Sequence, residues 1–525
     1  MSGMTPPGAP ADDRRRWMVL VVLCASLLLV AVDATVLHVA VPAVSEELRP
    51  SGVELLWIVD VYPLVCAALL ILFGTLGDRV GRRRVLLLGY GCFGLASALA
   101  AYAPTAGVLI LARALLGVGG AMIMPATLSI LRQVFPDRRE RALAIGVWSA
   151  VAAVGAAIGP LVGGVLLEHF WWGSVFLVNI PLMALCLPVG ALLLPESTGD
   201  RSGPWDVAGA LLAAAGLFAV ILAVKRAGGG DLFTPGTALA AGLGAALLVT
   251  FVRRQRRRGD PLIDLSAFSR PAFGTSVGCI VLTVLALVGL ALVAAQYLQL
   301  VLGLSPLETG LRLLPLSLAA IAAGLAGSRM LHWLGPRTMV AFGFGLTAVA
   351  VLTLTCLGEQ DKPLVMTLGF VLLGFGLETT LFGSYESMLS DVPAGQAGGA
   401  AAIGETAYQF GAGIGIALLG SVMNAMYGPA VRGLNGVPAA DSEAAGHSLG
   451  EAYTVAARLG GEAGEHLRRT ARDAFVHGMH MTLLASALML VLGALAALRL
   501  PRELCDGRGR KADERELLPS GVTRP

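Results

Sequence analysis

The sequence predicts an all-helical membrane protein that crosses the bilayer many times. Apolar residues make up 56% of its 525 residues and charged residues only 14%, whereas a soluble protein carries about 25% charged residues. Apolar runs of about 20 residues recur along the chain, and a helix of that length spans a bilayer. Segments with the alternating pattern of a membrane β-barrel are not found, so the sequence excludes a barrel.

Fourteen apolar runs are long enough to cross the membrane. The first follows the basic cluster Arg14–Arg16 and has no small-residue cleavage site after it, so we expect an uncleaved span rather than a signal peptide. The predicted spans are 17–42, 55–76, 85–103, 106–132, 142–166, 173–195, 206–226, 235–253, 271–300, 308–331, 338–357, 363–385, 399–425 and 474–499.

Basic residues are distributed unevenly between the segments that connect these spans. If the N-terminus is inside, the inner segments carry 27 of the 38 Lys and Arg residues and the outer segments carry 10. This bias predicts that both tails, 1–16 and 500–525, are cytoplasmic. The run Arg253–Arg258 then fits an anchor at the inner membrane surface better than a nucleic-acid site, and the net charge of +3 indicates no polyanionic partner.

The two ends of the chain contain an internal repeat. The segment Leu115–Gly119 recurs as Leu372–Gly376, 257 residues later, and Gly81 pairs with Gly335, 254 residues later. Span four thus matches span twelve. The shift of eight spans is an even number, so the two halves have the same orientation in the membrane. Parallel repeats of this kind are typical of transporters, with the substrate site between the halves. The predicted organisation is 6+2+6: a bundle at 17–195, two inserted helices at 196–270, and a bundle at 271–499.

The long outer segment 426–473 interrupts the second bundle. Its mixed charge predicts an amphipathic helix around Glu451–Phe475, and we assign it no chemistry. The seven cysteines show no pairing or metal-ligand spacing, so we expect neither a disulfide nor a metal site.

The loop between spans two and three combines glycines with clustered charge. It reads Gly-Thr-Leu-Gly-Asp-Arg-Val-Gly-Arg-Arg-Arg from Gly74 to Arg84. Its glycines permit a tight turn and close helix approach, and Asp78 is the one carboxylate among its arginines. From this loop alone, two interpretations are equally good. Asp78 could be a functional carboxylate, or the loop could be a basic signal for cytoplasmic location that contains an Asp by chance.

Four charged residues are predicted to lie deep inside spans: Asp33, Arg113, Glu378 and Glu405. Charged groups in the membrane are costly and usually serve binding or proton transfer. The first-half repeat partners of Glu378 and Glu405 are apolar, so packing does not require these acids. A cation site or a proton carrier does, because burial and nearby cations tune a carboxyl group.

Asp33, Arg113 and Glu378 also have a purely structural interpretation, as does Asp60 nearer the outer end of span two. Asp33 could be satisfied by Thr35 or a backbone group, and Arg113 by backbone carbonyl groups. Asp60 could be an ordinary interfacial carboxylate, and Glu378 could pair with Arg113. Glu386 is predicted to lie too near the cytoplasmic end to contribute.

Span five carries small residues at helical spacing. Gly155, Gly159 and Gly163 are four residues apart and form a smooth face for close helix contact. Pro160 and Gly164 stand in register with them, and we expect Pro160 to kink the helix.

These motifs resemble the major facilitator superfamily, and within it the fourteen-span drug:proton antiporters of the EmrB/QacA type. The resemblance covers nearly the whole chain. Gly74–Arg84 matches the inner-loop motif and Gly155–Gly164 the antiporter motif. Leu109–Gly119 matches the motif around the buried arginine, except that Leu116 replaces a usual Gln. Asp33–Pro42 matches the first-span motif, except that His38 replaces a usual Asn.

The resemblance implies functions for individual residues. Span five would seal the drug path from the proton path, and Arg113 would tune proton release. His38, which can titrate near neutrality, would add to coupling or be a neutral substitute. A conformational latch would consist of Gly74, Asp78, Arg79, Gly81 and Arg82, and acids for cations or protons would be Asp33, Asp60 and Glu405. Gly404 and Gln409 stand where relatives often carry further acids, which argues against a strong preference for divalent cations.

The sequence therefore predicts a proton-coupled antiporter of a bacterial plasma membrane that exports amphipathic or cationic toxic compounds from the cytoplasm, and no enzyme. Expected partners are amphipathic or cationic small molecules, protons and the bilayer, with no nucleic acid and with a monomer as the assembly. No glycine-rich loop is followed by Lys, so ATP is excluded as the energy source. A proton gradient needs no cofactor and yields about 2.3 kcal/mol per charge per 100 mV. Two alternatives remain: a dedicated exporter of one endogenous antibiotic or lipid, and a non-transporting receptor or scaffold, which the latch and antiporter motifs disfavour.

Overall fold

The structure is a computed structural model. It describes residues 10–500 except 51, 197–205, 228–233, 260, 263–264, 394–395, 433, 435–436 and 447. Regular structure in this part of the chain is helical throughout. The helices are α1 Pro10–Leu48, α2 Gly52–Val80, α3 Arg82–Ala101, α4 Ala106–Val134, α5 Arg138–His169, α6 Ser174–Leu177, α7 Asn179–Leu193, α8 Val207–Arg226, α9 Pro235–Arg257, α10 Pro271–Gln296, α11 Pro306–Leu354, α12 Pro363–Ser390, α13 Ala397–Val431, α14 Ala439–Ala445, α15 Leu449–Leu459 and α16 Gly461–Ala497.

Twelve helical stretches among the described residues are long and apolar enough to cross a membrane, so the chain is a multi-pass membrane protein. One stretch, Glu308–Leu354, has 47 residues and contains Gly335 in a non-helical conformation, with φ 69° and ψ 166°. The predicted span 308–331 lies before this break and the predicted span 338–357 lies after it. Helix α5, with 32 residues, is not among the twelve stretches but carries the fifth predicted span.

Polar residues and glycines determine where several helices begin. The side chain of Asp137 accepts hydrogen bonds from the backbone of Arg139 and Glu140 and caps α5. Gly81 separates α2 from α3 with φ 118°, a region that favours glycine. A Cβ atom on Gly81 would also lie 2.3 Å from Oε1 of Glu196. Gly335, its predicted repeat partner, likewise has a positive φ at a helix junction.

The same helix pairs recur in the two ends of the chain, as the sequence repeat predicts. Helix α5 packs on α1, and α13 packs on α10. Helices α2 and α3 both pack on α4, and the two parts of α11 both pack on α12. A Cβ atom on Gly374 of α12 would lie 2.0 Å from the carbonyl oxygen of Leu316, and one on Gly343 would lie 2.3 Å from Oγ1 of Thr380. Glycine thus permits close contact on both sides of α12.

The two groups of helices meet along two seams. Helix α2 packs on α13, and α5 packs on α11. In the first seam, a Cβ atom on Gly74 would lie 2.5 Å from Cβ of Ala402. In the second, a Cβ atom on Gly146 would lie 2.1 Å from the carbonyl oxygen of Gly324. Helix α8 covers the first seam because it contacts both α2 and α13, and α9 packs on α8.

The long segment after α13 differs from its prediction. One amphipathic helix was expected around Glu451–Phe475, but the helix ends at Leu459 and a new one begins at Gly461. Gly460 and Gly461 both have positive φ, at 61° and 55°, which breaks the helix between them. Helix α16 therefore starts thirteen residues before the predicted span at 474–499 and includes much of the predicted loop.

Candidate functional site

A buried ion pair joins α1 to α4. Asp33 has no exposed surface, and Nη1 of Arg113 lies 3.0 Å from its Oδ2. Nδ2 of Asn179 donates to the other carboxylate oxygen at 2.7 Å. Arg113 also donates from Nε to the carbonyl oxygen of Ile58 at 3.3 Å, and its guanidinium lies 4.6 Å from the ring centre of Tyr62. A carboxylate and a guanidinium that cost much to bury alone are thus mutually neutralised.

These contacts decide between several structural interpretations. Thr35 donates to the carbonyl oxygens of Ala31 and Val32, so Thr35 as the partner of Asp33 is wrong. A backbone bond for Arg113 is confirmed, but it accompanies the ion pair. A Glu378–Arg113 pair is wrong, because Arg113 pairs with Asp33.

The sequence analysis missed Asn179, which also donates to Oγ of Ser97 at 3.2 Å and is 1% exposed. It is the one amide side chain in the otherwise apolar helix α7. That isolation is the signal that could have identified it as the partner of a buried charge.

Glu405 lies on α13 at the seam with α2. Its side chain is 3% exposed, and the hydroxyl of Tyr385 donates to its Oε1 at 3.1 Å. It lies close enough to Cys66 of α2 to affect that thiol electrostatically. Cys66 is one helical turn from Tyr62, which contacts Arg113. A short series of contacts therefore connects Glu405 to the buried ion pair.

Glu378 lies on α12 and faces α5 of the other half. Glu378 is 7% exposed, and its carboxylate lies near the side chain of Ser149. Oε1 of Glu378 has no hydrogen-bond partner among the described residues. Tyr385 and Tyr408 each lie near both Glu378 and Glu405. The two acids thus share a tyrosine-lined region at the interface between the halves.

The aromatic wall of this region comes from both halves. Trp148 of α5 meets Tyr385 edge to face, with ring centres 6.4 Å apart, and donates from its indole nitrogen to Oγ1 of Thr127 at 3.3 Å. An aromatic cluster beside unpaired carboxylates can bind a flat organic cation by stacking and charge. In the described part of the chain, no three His, Cys, Asp or Glu side chains cluster as ligands for a metal ion.

One end of the bundle, which we call the basic end, contains Gly81 and the arginines around it. There Asp78 of α2 accepts hydrogen bonds from the backbone nitrogens of Gly398, at 3.1 Å, and Gly399, at 2.9 Å. These residues form the first turn of α13, where a carboxylate is favoured by the helix dipole. Arg82 donates to the same carboxylate at 2.8 and 3.0 Å. Asp78 thus fastens the two halves together; we call this contact the basic-end latch.

A second fastening lies at the same end, on the other seam. Arg141 of α5 donates to Oε1 of Glu386 on α12 at 3.1 Å. Arg132 of α4 donates to the backbone carbonyl of Val392. Glu386 lies near the helix end, as predicted, but has no exposed surface because the two halves close over it. That it takes no part in binding cations or protons stays a prediction.

The glycine face of α5 packs on α1 close to Asp33. A Cβ atom on Gly159 would lie 1.9 Å from Oγ1 of Thr35, and Cβ atoms on Gly155 and Gly163 would lie within 3.0 Å of α1 side chains. The close contact predicted from glycine spacing is confirmed. Helix α5 runs without interruption through Pro160, and a Cβ on Gly164 would meet nothing within 4 Å.

The remaining candidates lie apart from this group. Asp60 of α2 is partly exposed and forms an ion pair with Lys225 of α8. Arg79 lies in the last turn of α2. His38 lies in α1, and its side chain falls outside the described part of the structure.

Asp78→Asn is expected to slow transport at least tenfold while substrate affinity stays within about twofold. The amide retains one acceptor oxygen but loses the charge that favours the α13 terminus and Arg82. The matched control is Asp137→Asn, since Asp137 caps its own helix at the same end without joining the halves. Initial rates and equilibrium binding in reconstituted protein check this. Lost binding with an unchanged rate per bound substrate would contradict the latch.

The chain resembles known proteins along most of its length. Residues 23–416 match the Major Facilitator Superfamily. The chain is 41% identical to the multidrug efflux pump LfrA of Mycolicibacterium smegmatis, over 93% of this chain and 97% of that protein. It is 37% identical to the methyl viologen resistance protein SmvA of Salmonella typhimurium, over 92% and 97%. It is 32% identical to the tetracenomycin C resistance and export protein of Streptomyces glaucescens, over 81% and 79%.

The fold is also found among solved structures. The crystal structure of the human organic anion transporter MFSD10 superposes with a TM-score of 0.58 at 16% identity, covering 93% of this chain and all of that one. At that identity the likeness concerns the fold alone.

Proposed function

The chain belongs to the major facilitator superfamily, and from this premise we propose that it is a multidrug efflux transporter, which exports amphipathic or cationic compounds in exchange for protons. Three relatives that cover most of its length are a multidrug pump, a methyl viologen resistance protein and an antibiotic exporter. The chain is a transporter and not an enzyme.

The observation that carries the proton-coupled mechanism is the pair of buried acids between the halves. In the described part of the chain, neither Glu378 nor Glu405 forms an ion pair, and Glu405 has a tyrosine hydroxyl as its partner. A buried carboxylate without a cation must take up a proton or bind a positive ligand. A proton and a cationic ligand cannot occupy the same carboxylate at the same time. Exchange of substrate for protons requires this mutual exclusion.

The proposed architecture has fourteen membrane spans arranged as 6+2+6. The first bundle comprises α1 to α5 and α7, the inserted pair is α8 and α9, and the second bundle comprises α10, both parts of α11, α12, α13 and α16. The break at Gly335 divides Glu308–Leu354 into two spans, and α5 supplies one more. The basic end then faces the cytoplasm, by the distribution of Lys and Arg, with both termini on that side.

We propose that this is a state closed at its cytoplasmic end. The basic-end latch and the Arg141–Glu386 pair hold the halves together there. We propose that a cation bound near Glu405 leaves toward the outside when protons occupy the carboxylates. Return to the cytoplasm-open state requires these contacts to break, and the next cation then displaces the protons.

The Asp33–Arg113 pair is proposed to sense occupancy of the neighbouring acids. Arg113 contacts Tyr62, which lies one turn from Cys66 and hence from Glu405. A change of charge at Glu405 alters the electrostatic potential at Arg113 and therefore the strength of its ion pair with Asp33. The resemblance to antiporters assigns proton release to this arginine, and the contacts support that function.

A dedicated exporter of one endogenous antibiotic is the second candidate. The tetracenomycin C exporter supports it, but its identity and coverage are lower than those of the multidrug pump. The two candidates differ in substrate range: a dedicated exporter transports one scaffold, whereas the proposed pump transports chemically unrelated cations.

Transport by everted membrane vesicles tests the proposal. Vesicles that contain the protein are expected to accumulate ethidium, a monovalent aromatic cation, when respiration acidifies their lumen. A protonophore should abolish the uptake within seconds, and vesicles without the protein give the baseline. Uptake that persists after the protonophore would contradict proton coupling, and absence of uptake for several unrelated cations would contradict multidrug export.

A further inference from the structure

The inserted helix α8 carries a positive charge onto the seam between the halves. Lys225, in the last turn of α8, pairs with the carboxylate of Asp60 on α2. Their side chains are 22% and 40% exposed, so the pair is only partly buried. The chain contains only three lysines among 38 basic residues, which makes this Lys unusual in composition as well as in position.

Matching apolar faces lead up to this ion pair. On α8, Phe218, Ile221, Leu222 and Lys225 follow helical spacing, so Lys225 ends the stripe that packs on α2. The facing residues of α2 and α13 are Trp57, Leu64, Ala67 and Phe410. Trp57 of this cluster precedes Asp60 by three residues on α2 and so lies on the same helix face as the ion pair.

The ion pair also lies on the same seam as the buried acid Glu405. Along α2, the seam contains Asp78 at the cytoplasmic latch, Cys66 opposite Glu405, and then Asp60. At 1.5 Å per residue, Asp60 lies about 9 Å beyond Cys66 and about 27 Å from Asp78. A cation that leaves Glu405 along this seam meets Asp60 next.

We propose that Lys225 is a tethered counter-cation that competes with the substrate for Asp60 and so sets how tightly the exit subsite holds a cation. This inference depends on the proposed export of cations. Partly exposed ion pairs are weak and exchange readily with other charged ligands. A substrate cation displaces Lys225 from Asp60, and the returning ammonium group then helps to expel the substrate outward.

Competition of this kind lowers the affinity of the subsite for every cation by the same factor, because each must displace Lys225 before it can reach Asp60. An aromatic cation gains stacking on Trp57 in addition to the carboxylate, so it binds more tightly than an aliphatic ammonium ion does. The preference for flat aromatic cations therefore comes from stacking, and Lys225 sets how tightly any cation is held.

Binding to purified full-length protein in lipid nanodiscs tests this inference. The probes are ethidium, which is aromatic, and tetrabutylammonium, which is aliphatic and is measured by competition. Lys225→Met and Lys225→Gln are expected to raise affinity about two- to fivefold, the span of a weak ion pair, by the same factor for ethidium and for tetrabutylammonium. Lys225→Arg keeps the charge and should behave as the wild type.

A second background isolates the proposed competition. In Asp60→Asn protein, Lys225→Met should have no effect on either probe, because the contested carboxylate is absent. A Lys225 effect that persists there, or wild-type affinities in both neutral variants, would overturn the inference. A different outcome is that ethidium binds the wild type and binds Glu405→Gln protein more weakly, while the Lys225 substitutions leave its affinity unchanged. That result would overturn only this inference and not the proposed function. Wild-type protein that binds no cation would overturn the proposed function as well.

Discussion

Asp33→Asn is expected to abolish energised efflux of ethidium, down to the level of cells that lack the protein. The carboxylate of Asp33 is the ion-pair partner of Arg113 in a fully buried site. Breaking a buried pair by removal of one partner costs about 3–5 kcal/mol, because the other charge is left without compensation. Arg113 must then find other acceptors, and its connection to the acids between the halves is lost. Efflux from preloaded cells, normalised to the amount of protein in the membrane, measures the effect.

A second variant separates the loss of coupling from a loss of stability. Asp33→Asn combined with Arg113→Leu removes both charges, so thermal stability in detergent should recover while efflux stays absent. The matched control is Asp206→Asn, which breaks an ion pair with Arg254 in the inserted helices. The hydrogen bonds from Arg254 lower the pKa of Asp206 to about 2, so this carboxylate stays ionised throughout pH 5–8 and cannot carry protons there. Wild-type resistance in Asp33→Asn cells would contradict a function of Asp33 in coupling.

Glu405→Gln is expected to remove most of the pH dependence of cation binding. In the wild type, affinity for ethidium should fall as the pH is lowered, since protons and the cation compete for the same carboxylates. The amide cannot be protonated in this range, so the affinity curve of the variant should be low and flat. A neutral substrate should show little pH dependence in either protein. Fluorescence titration of purified protein across pH 5–8 measures both curves.

Glu378→Gln provides the comparison within the same site. Glu378 lies near Ser149 of the other half, whereas Glu405 faces Cys66 at the other seam. If Glu405 is the principal coupling group, Glu378→Gln should retain a pH-dependent curve with a smaller slope. Identical curves for the wild type and Glu405→Gln would show that Glu405 does not take part in coupling.

The sequence predicts those features that depend on local spacing or on single residue types. The break at Gly81 and its repeat at Gly335 were foreseeable because positive φ favours glycine. The close contact of α5 with α1 follows from glycines four residues apart. The deep positions of Asp33, Arg113 and Glu405 follow from the length of the apolar runs around them.

The partners of these charges could not be predicted, because they come from distant parts of the chain. Asn179 lies 146 residues from Asp33, and Arg141 lies 245 residues from Glu386. Neither hydropathy nor spacing indicates which helix faces which at such separations. The burial of Glu386 follows from closure of the two halves at the basic end, and closure is a property of the assembled fold.

Proton release on substrate binding is the most direct test of competition at the buried acids. Purified protein in weakly buffered detergent solution with a pH indicator is mixed with saturating ethidium near pH 6.5, and binding is recorded in parallel. Because the cation displaces protons from Glu378 and Glu405, we expect the solution to acidify in proportion to the cation bound, and Glu405→Gln to release fewer protons per bound cation. Saturable ethidium binding with no change in pH would contradict exchange of cation and proton at one site.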